Sequence, residues 1–162
     1  MKSRIVEVKW AVIFIVTMLS WMLLEKLTGL HSTHIDKQQY LTMLFMLPAI
    51  LVYVLALRDK KRRFYGGEMT YMQGFVSGVI VTVIVTVLSP LSQWVISYVI
   101  TPEYFPNVIE YSLKTGYFKT VEEAQAYFSY SNFAIQSVVW SLAMGIATSA
   151  VVAIFVRSRK RY

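Results

Sequence analysis

The residues with the most chemical potential cluster where the first apolar run ends: Glu25, His31, His34 and Asp36. Two imidazoles and two carboxylates are the ligand types of a divalent-cation site. The spacing supports this weakly. His31 and His34 are three apart in a polar stretch, where histidines are more often solvated or capping, so no metal and no cofactor is expected. Glu25 admits two readings. Beside Lys26 at the end of a span it can reach the headgroups, which is the favoured reading. Turned toward the interior, it would carry protons or bind a cation. Gln93 and Gln136 fall toward the same membrane side. Glu25, His31, His34, Gln93 and Gln136 therefore define a candidate outward-facing polar pocket. Gln73 is accounted for by a helix cap.

Other chemistry finds no footing. There is no cysteine, which excludes disulfides and thiolate sites. No phosphate loop, metalloprotease helix motif or Gly-x-Ser-x-Gly elbow occurs, and the serines have no convincing base. The expectation is a non-enzyme.

The elements that hold these residues are membrane spans. The apolar fraction is 56%, above soluble domains, and it is gathered into long runs. The expected fold is all-α: an integral membrane four-helix bundle forming a single membrane domain over 1–162. The spans fall at about 7–28, 40–57, 71–100 and 133–156, with an extracytoplasmic cap at about 101–131. The first run, behind Lys2, Arg4 and Lys9, resembles a signal peptide, but no small-x-small site follows and it reads as a retained span. Asp36 with Gln39, Thr70 with Gln73, Asn107 with Glu110, and Thr120 with Glu123 have capping-box spacing. Gly116 suits a C-cap between two short cap helices. The many aromatics of the cap suggest that it lies against the headgroups. Pro48 and Pro90 should break their helices at membrane depth.

The third and fourth spans each carry small residues at every fourth position. Gly74, Gly78, Thr82, Thr86 and Pro90 mark one; Ser137, Ser141, Gly145, Ser149 and Ala153 mark the other. Such ridges let helix backbones approach closely in lipid, and these two are expected to face each other. The open rival is that one of them faces a separate protein.

The formal charge is +7, from 16 basic and 9 acidic residues. Twelve of the basic residues lie in the termini and in the 58–68 turn. Lys26, Lys37, Lys114 and Lys119 lie across. The positive-inside rule then puts both termini and the Arg58–Arg63 turn in the cytoplasm. Nucleic-acid binding is not expected.

The motif Leu57-Arg58-Asp59-Lys60 and the segment Gly66-Gly67-Glu68-Met69-Thr70-Tyr71 through Gly78 resemble the signature region of domain-of-unknown-function family 4199. Its members are small bacterial membrane proteins with four predicted spans. In that family a basic turn leads through Gly-Gly-x-(Ile/Leu)-(Ser/Thr)-(Phe/Tyr) into the third helix; Met69 departs from the branched aliphatic. The resemblance implies residence in the bacterial inner membrane, and it transfers no catalytic residue. The leading functional expectation is a non-enzymatic accessory or scaffold subunit. Its partners would be lipids and other membrane proteins or a second copy. The alternative is a small carrier, or a component of lipid or lipid-linked substrate transfer, using the polar pocket. An intramembrane enzyme relying on Glu25, His31 or His34 ranks third.

Overall fold

The computed structural model describes residues 4–158. Lys2, Arg159, Lys160 and Arg161 lie outside the described residues. The order of helices is α1 (Ile5–Leu27), α2 (Ile35–Leu41), a 3-10 segment (Thr42–Phe45), α3 (Met46–Arg63), α4 (Tyr71–Val95), a π segment (Ile96–Ile100), α5 (Tyr104–Lys114), α6 (Val121–Tyr127) and α7 (Tyr130–Val156). The described residues include no strand. Four stretches are long and apolar enough to cross a membrane: Ile5–Leu27, Ile35–Arg63, Tyr71–Ile100 and Tyr130–Val156.

The second span starts earlier and ends later than expected. α2 begins at Ile35 with His34 as N-cap and no side-chain cap bond, so Asp36 sits inside the first turn. α3 carries the basic run as helix through Arg63, because Lys and Arg suit a helix C-terminus. The helix is interrupted at Thr42–Phe45, and Pro48 falls in the first turn of α3, where its missing N–H costs little. Pro90 stays inside α4. Its missing N–H leaves the Thr86 carbonyl free, and the Ser89 hydroxyl donates to that carbonyl at 2.9 Å.

Thr70 and Gln73 form the complete capping box that opens α4. Thr120 accepts from the Glu123 N–H at 3.2 Å. Asn107 is not a cap, since α5 already starts at Tyr104; its side chain reaches instead to the α1–α2 turn. Gly116 has φ +73 just past α5, a left-handed position that glycine takes without strain.

α4 and α7 form the most extensive helix pair, with α1 and α3 packed against them. Both ends of the described chain and the turn after α3 meet at one end of the bundle. Lys9 pairs with Asp59 at 2.6 Å. Lys61 donates to the last-turn carbonyl of Val156 at 2.9 Å, and the Ser158 N–H donates to the Met69 carbonyl at 2.8 Å. The cap helices lie at the other end. Some of their aromatics turn inward: Phe105 and Phe128 pack on Phe133 at 5.3 and 6.2 Å, joining the cap to the start of α7.

Candidate functional site

α1 presents a buried line of Glu7, Ala11 and Glu25. Glu7 and Glu25 are 18 residues apart, five helical turns, so both carboxylates leave one face at opposite ends of the span.

Glu25 does not reach the headgroups, as its place beside Lys26 suggested. Its side chain is wholly buried, held by two donors and the His31 ring. Oε1 accepts from Trp21 Nε1 at 2.6 Å and from Thr42 Oγ1 at 2.8 Å. Oε2 lies 3.0 Å from His31 Nε2. The chain doubles back to make this possible. Gly29 takes φ +76, and its carbonyl accepts the N–H of both Ser32 and His34. That tight turn returns His31 over the end of α1. From α5, Asn107 Nδ2 donates to the His31 carbonyl at 2.9 Å, and the Tyr104 ring meets the imidazole edge-on at 5.1 Å. The Tyr104 hydroxyl donates to Gln38 at 3.1 Å. Burial pushes the Tyr104 phenol up to about 12; the Gln38 bond opposes the rise and the Glu25 charge adds to it. His31 Nδ1 is buried without a hydrogen-bond partner.

The five polar residues grouped from the sequence do not share one pocket. Glu25 and His31 form the buried pair. His34 is exposed and turned to Thr33, with Nδ1 3.1 Å from the hydroxyl. Gln93 donates to Ser97 at 3.0 Å and lines a separate cleft, whereas Gln136 is on α7 outside that lining. Among the described residues no group of three or more His, Asp or Glu side chains could hold a metal ion.

The cleft lies between α3 and α7, with residues of α1 and α4 completing its lining. It has a volume of about 500 Å³, within the usual range of roughly 300–1,000 Å³ for ligand pockets. Met46, Ala49 and Ile50 form one wall, and Trp140 and Met144 the other. Its floor carries hydroxyls from Ser89, Ser92 and Ser137.

Behind the cleft the small-residue ridges of α4 and α7 meet in antiparallel register. Ala153 faces Gly74, Ser149 faces Gly78, and Thr82 faces Gly145. Ser141 donates to Thr86 at 3.0 Å and Ser137 to Ser89 at 3.3 Å. Tyr53 of α3 joins the seam, its hydroxyl 2.8 Å from Thr82 Oγ1.

A second buried cluster went unread in the sequence. Lys60 Nζ is 2.7 Å from Glu7 Oε1, and both side chains are 2% exposed. Ser77 donates to the same oxygen at 3.0 Å, and Lys60 also stands over the Phe64 ring.

The four long apolar helices make this an all-helical protein of the multi-pass membrane class. Residues 9–158 match the family described as "Protein of unknown function (DUF4199)", and the chain belongs to that family. No curated protein and no solved structure matches the chain.

Proposed function

We propose that this is a non-enzymatic membrane protein that takes the apolar chain of a lipid or lipid-linked molecule into the cleft between α3 and α7. The carrying observation is the cleft itself: apolar walls and a hydroxyl-bearing floor at span depth. In a bilayer, an apolar-walled cavity suits a hydrocarbon chain, and the floor hydroxyls of Ser89, Ser92 and Ser137, which donate their protons to helix carbonyls, keep oxygen lone pairs that can accept from a hydroxyl or amide of the ligand. The membrane in this reading is the bacterial cytoplasmic membrane, with both termini and the Arg58–Arg63 turn inside the cell.

The test uses the full chain in nanodiscs with a phospholipid bearing a photoreactive acyl chain. Labelling should concentrate at Ala49, Ile50 and Met144 and fall several-fold in Ala49→Trp. Equal labelling of the outer face of α1, at Val12 and Val16, would refute the reading.

A second reading, an accessory or scaffold subunit, draws on the cap. Tyr117, Val121 and Tyr127 are exposed there, outside the spans, and large exposed apolar groups suit a docking surface. Co-purification from gentle detergent tests it; elution alone at monomer size would count against it.

A further inference from the structure

The polar lining of the cleft narrows what a ligand there can carry. Among the described residues no Lys, Arg, His, Asp or Glu lines it. Its serine protons are already engaged. Ser89 donates to the Thr86 carbonyl at 2.9 Å and Ser92 to the Leu88 carbonyl at 3.1 Å. Ser137 shares its proton between the Ala134 carbonyl at 2.8 Å and Ser89 Oγ at 3.3 Å. Thr42 donates to Glu25. Thr82 donates to the Gly78 carbonyl, so Tyr53 is the donor in the bond those two hydroxyls share.

The serine patch therefore presents oxygen lone pairs to a ligand. Gln93 adds a carbonyl oxygen, since its Nε2 donates to Ser97 at 3.0 Å. An anionic head placed there would meet those oxygens with no cation beside it, after losing its water. An ether would set one more acceptor against acceptors. A hydroxyl brings the donor that the patch can use. Trp140 gives the lining one indole N–H, which is neutral and stands on the exposed wall rather than on the floor.

The patch also lies at one end of the cleft. Ser137 is near the start of α7 and Gln93 near the end of α4, the end that carries the cap helices. From Ser137 to Thr148, both in the lining, α7 advances 11 residues, about 16 Å. That is about half of the roughly 30 Å hydrocarbon core, the depth of one leaflet.

We propose that the ligand is a lipid alcohol of the cap-side leaflet: its hydroxyl donates to the Ser89–Ser92–Ser137 patch, and its chain runs inward between Ile50 and Met144 toward Thr148. This assignment rests on the cleft being a ligand site.

The test uses the full chain in nanodiscs and three probes that share one chain, with a photoreactive group near its far end: a long-chain primary alcohol, its methyl ether and its sulfate ester. The readout is labelling at Ala49, Ile50 and Met144 relative to Val12 and Val16 on the outer face of α1. The ratio for the alcohol should exceed that for the ether about two- to tenfold, the weight of one neutral hydrogen bond. It should exceed that for the sulfate roughly tenfold or more. Ser92→Ala should shrink the difference between alcohol and ether and leave the chain labelling in place. Ser137→Ala should do the same and covers the case in which Ser92→Ala does not fold. Gln93→Lys should raise the ratio for the sulfate several-fold, because it puts a cation at that end. An ether or sulfate equal to the alcohol in the unaltered protein, or an alcohol preference untouched by both serine variants, would overturn the lipid-alcohol assignment and leave the ligand site standing. If no probe concentrates in the cleft, whatever its head, the ligand site itself is defeated.

Discussion

Gly78 of α4 and Ser149 of α7 approach so closely that a Cβ built on the glycine would stand 2.7 Å from the serine Cβ and 3.3 Å from its Cα. No rotamer change relieves this, since the serine Cα and Cβ are fixed by the α7 backbone; its hydroxyl is held 2.6 Å from the Gly145 carbonyl. Without a hydrophobic drive between helices in lipid, this proximity is itself the source of dispersion contact. Gly78→Ala should therefore push α4 and α7 apart and cost about 1–3 kcal/mol, the usual penalty of overpacking. A lowered thermal midpoint in detergent checks it; an unchanged midpoint would mean the helices do not meet there.

The Glu7–Lys60 pair makes a prediction with an internal control. Removing one member of a buried ion pair leaves the other charge uncompensated, at a cost of about 3–5 kcal/mol. Lys60→Met or Glu7→Gln should each destabilise strongly. Glu7→Met combined with Lys60→Met should lie closer to the unaltered protein than either single change, because no charge is then stranded. Additive losses in the double variant, read from unfolding midpoints, would contradict the pairing.

The contrast between these two sites shows what a sequence makes legible. The α4–α7 seam announces itself because both ridges repeat every fourth residue, so spacing alone indicates register. Lys60 sits in a run with Arg58, Lys61, Arg62 and Arg63, and nothing local separates the buried member from its solvated neighbours. Its partner is 53 positions away on α1. Glu25 was ambiguous for another reason: an acid beside a lysine at a helix end suits a headgroup contact equally well. What decides its burial is the turn at Gly29 and the donors from Trp21 and Thr42. Trp21, one helical turn before the acid, was the available signal. Asn107 shows the reverse error, since capping-box spacing recurred by chance around a residue used to tie down the α1–α2 turn.

Tyr104 gives the cap a dependence on alkaline pH. Its phenol is raised from 10.0 to about 12, so the folded protein holds this proton more tightly than the unfolded chain does. The stabilisation is complete below about pH 10 and is lost as pH rises through about 12. Over that window the near-ultraviolet dichroism of the cap aromatics should decay. Tyr104→Phe should remove that part of the loss and also delete one late-titrating phenolate from the absorbance curve. Loss of amplitude near pH 10 rather than near 12 would show that Tyr104 titrates as an exposed tyrosine.

Orientation is testable at glycines that tolerate insertion. A Cβ built at Gly66, Gly67 or Gly116 meets nothing within 4 Å, so a reporter placed there disturbs no packing. Burial of Lys60 against Glu7 removes one positive charge from the 58–68 turn and one negative charge from the first helix. The basic excess at that end of the bundle is therefore unaltered, and exposed Arg58 and Arg62 still favour the cytosolic side in the proposed orientation. A cytosol-active reporter should work at Gly66–Gly67 and fail at Gly116, and an exterior-active reporter should do the opposite. Activity at both sites with one reporter would mean that α4 does not cross the bilayer. Inverted activity would keep the four crossings and show that the Arg58–Arg63 turn does not set the topology.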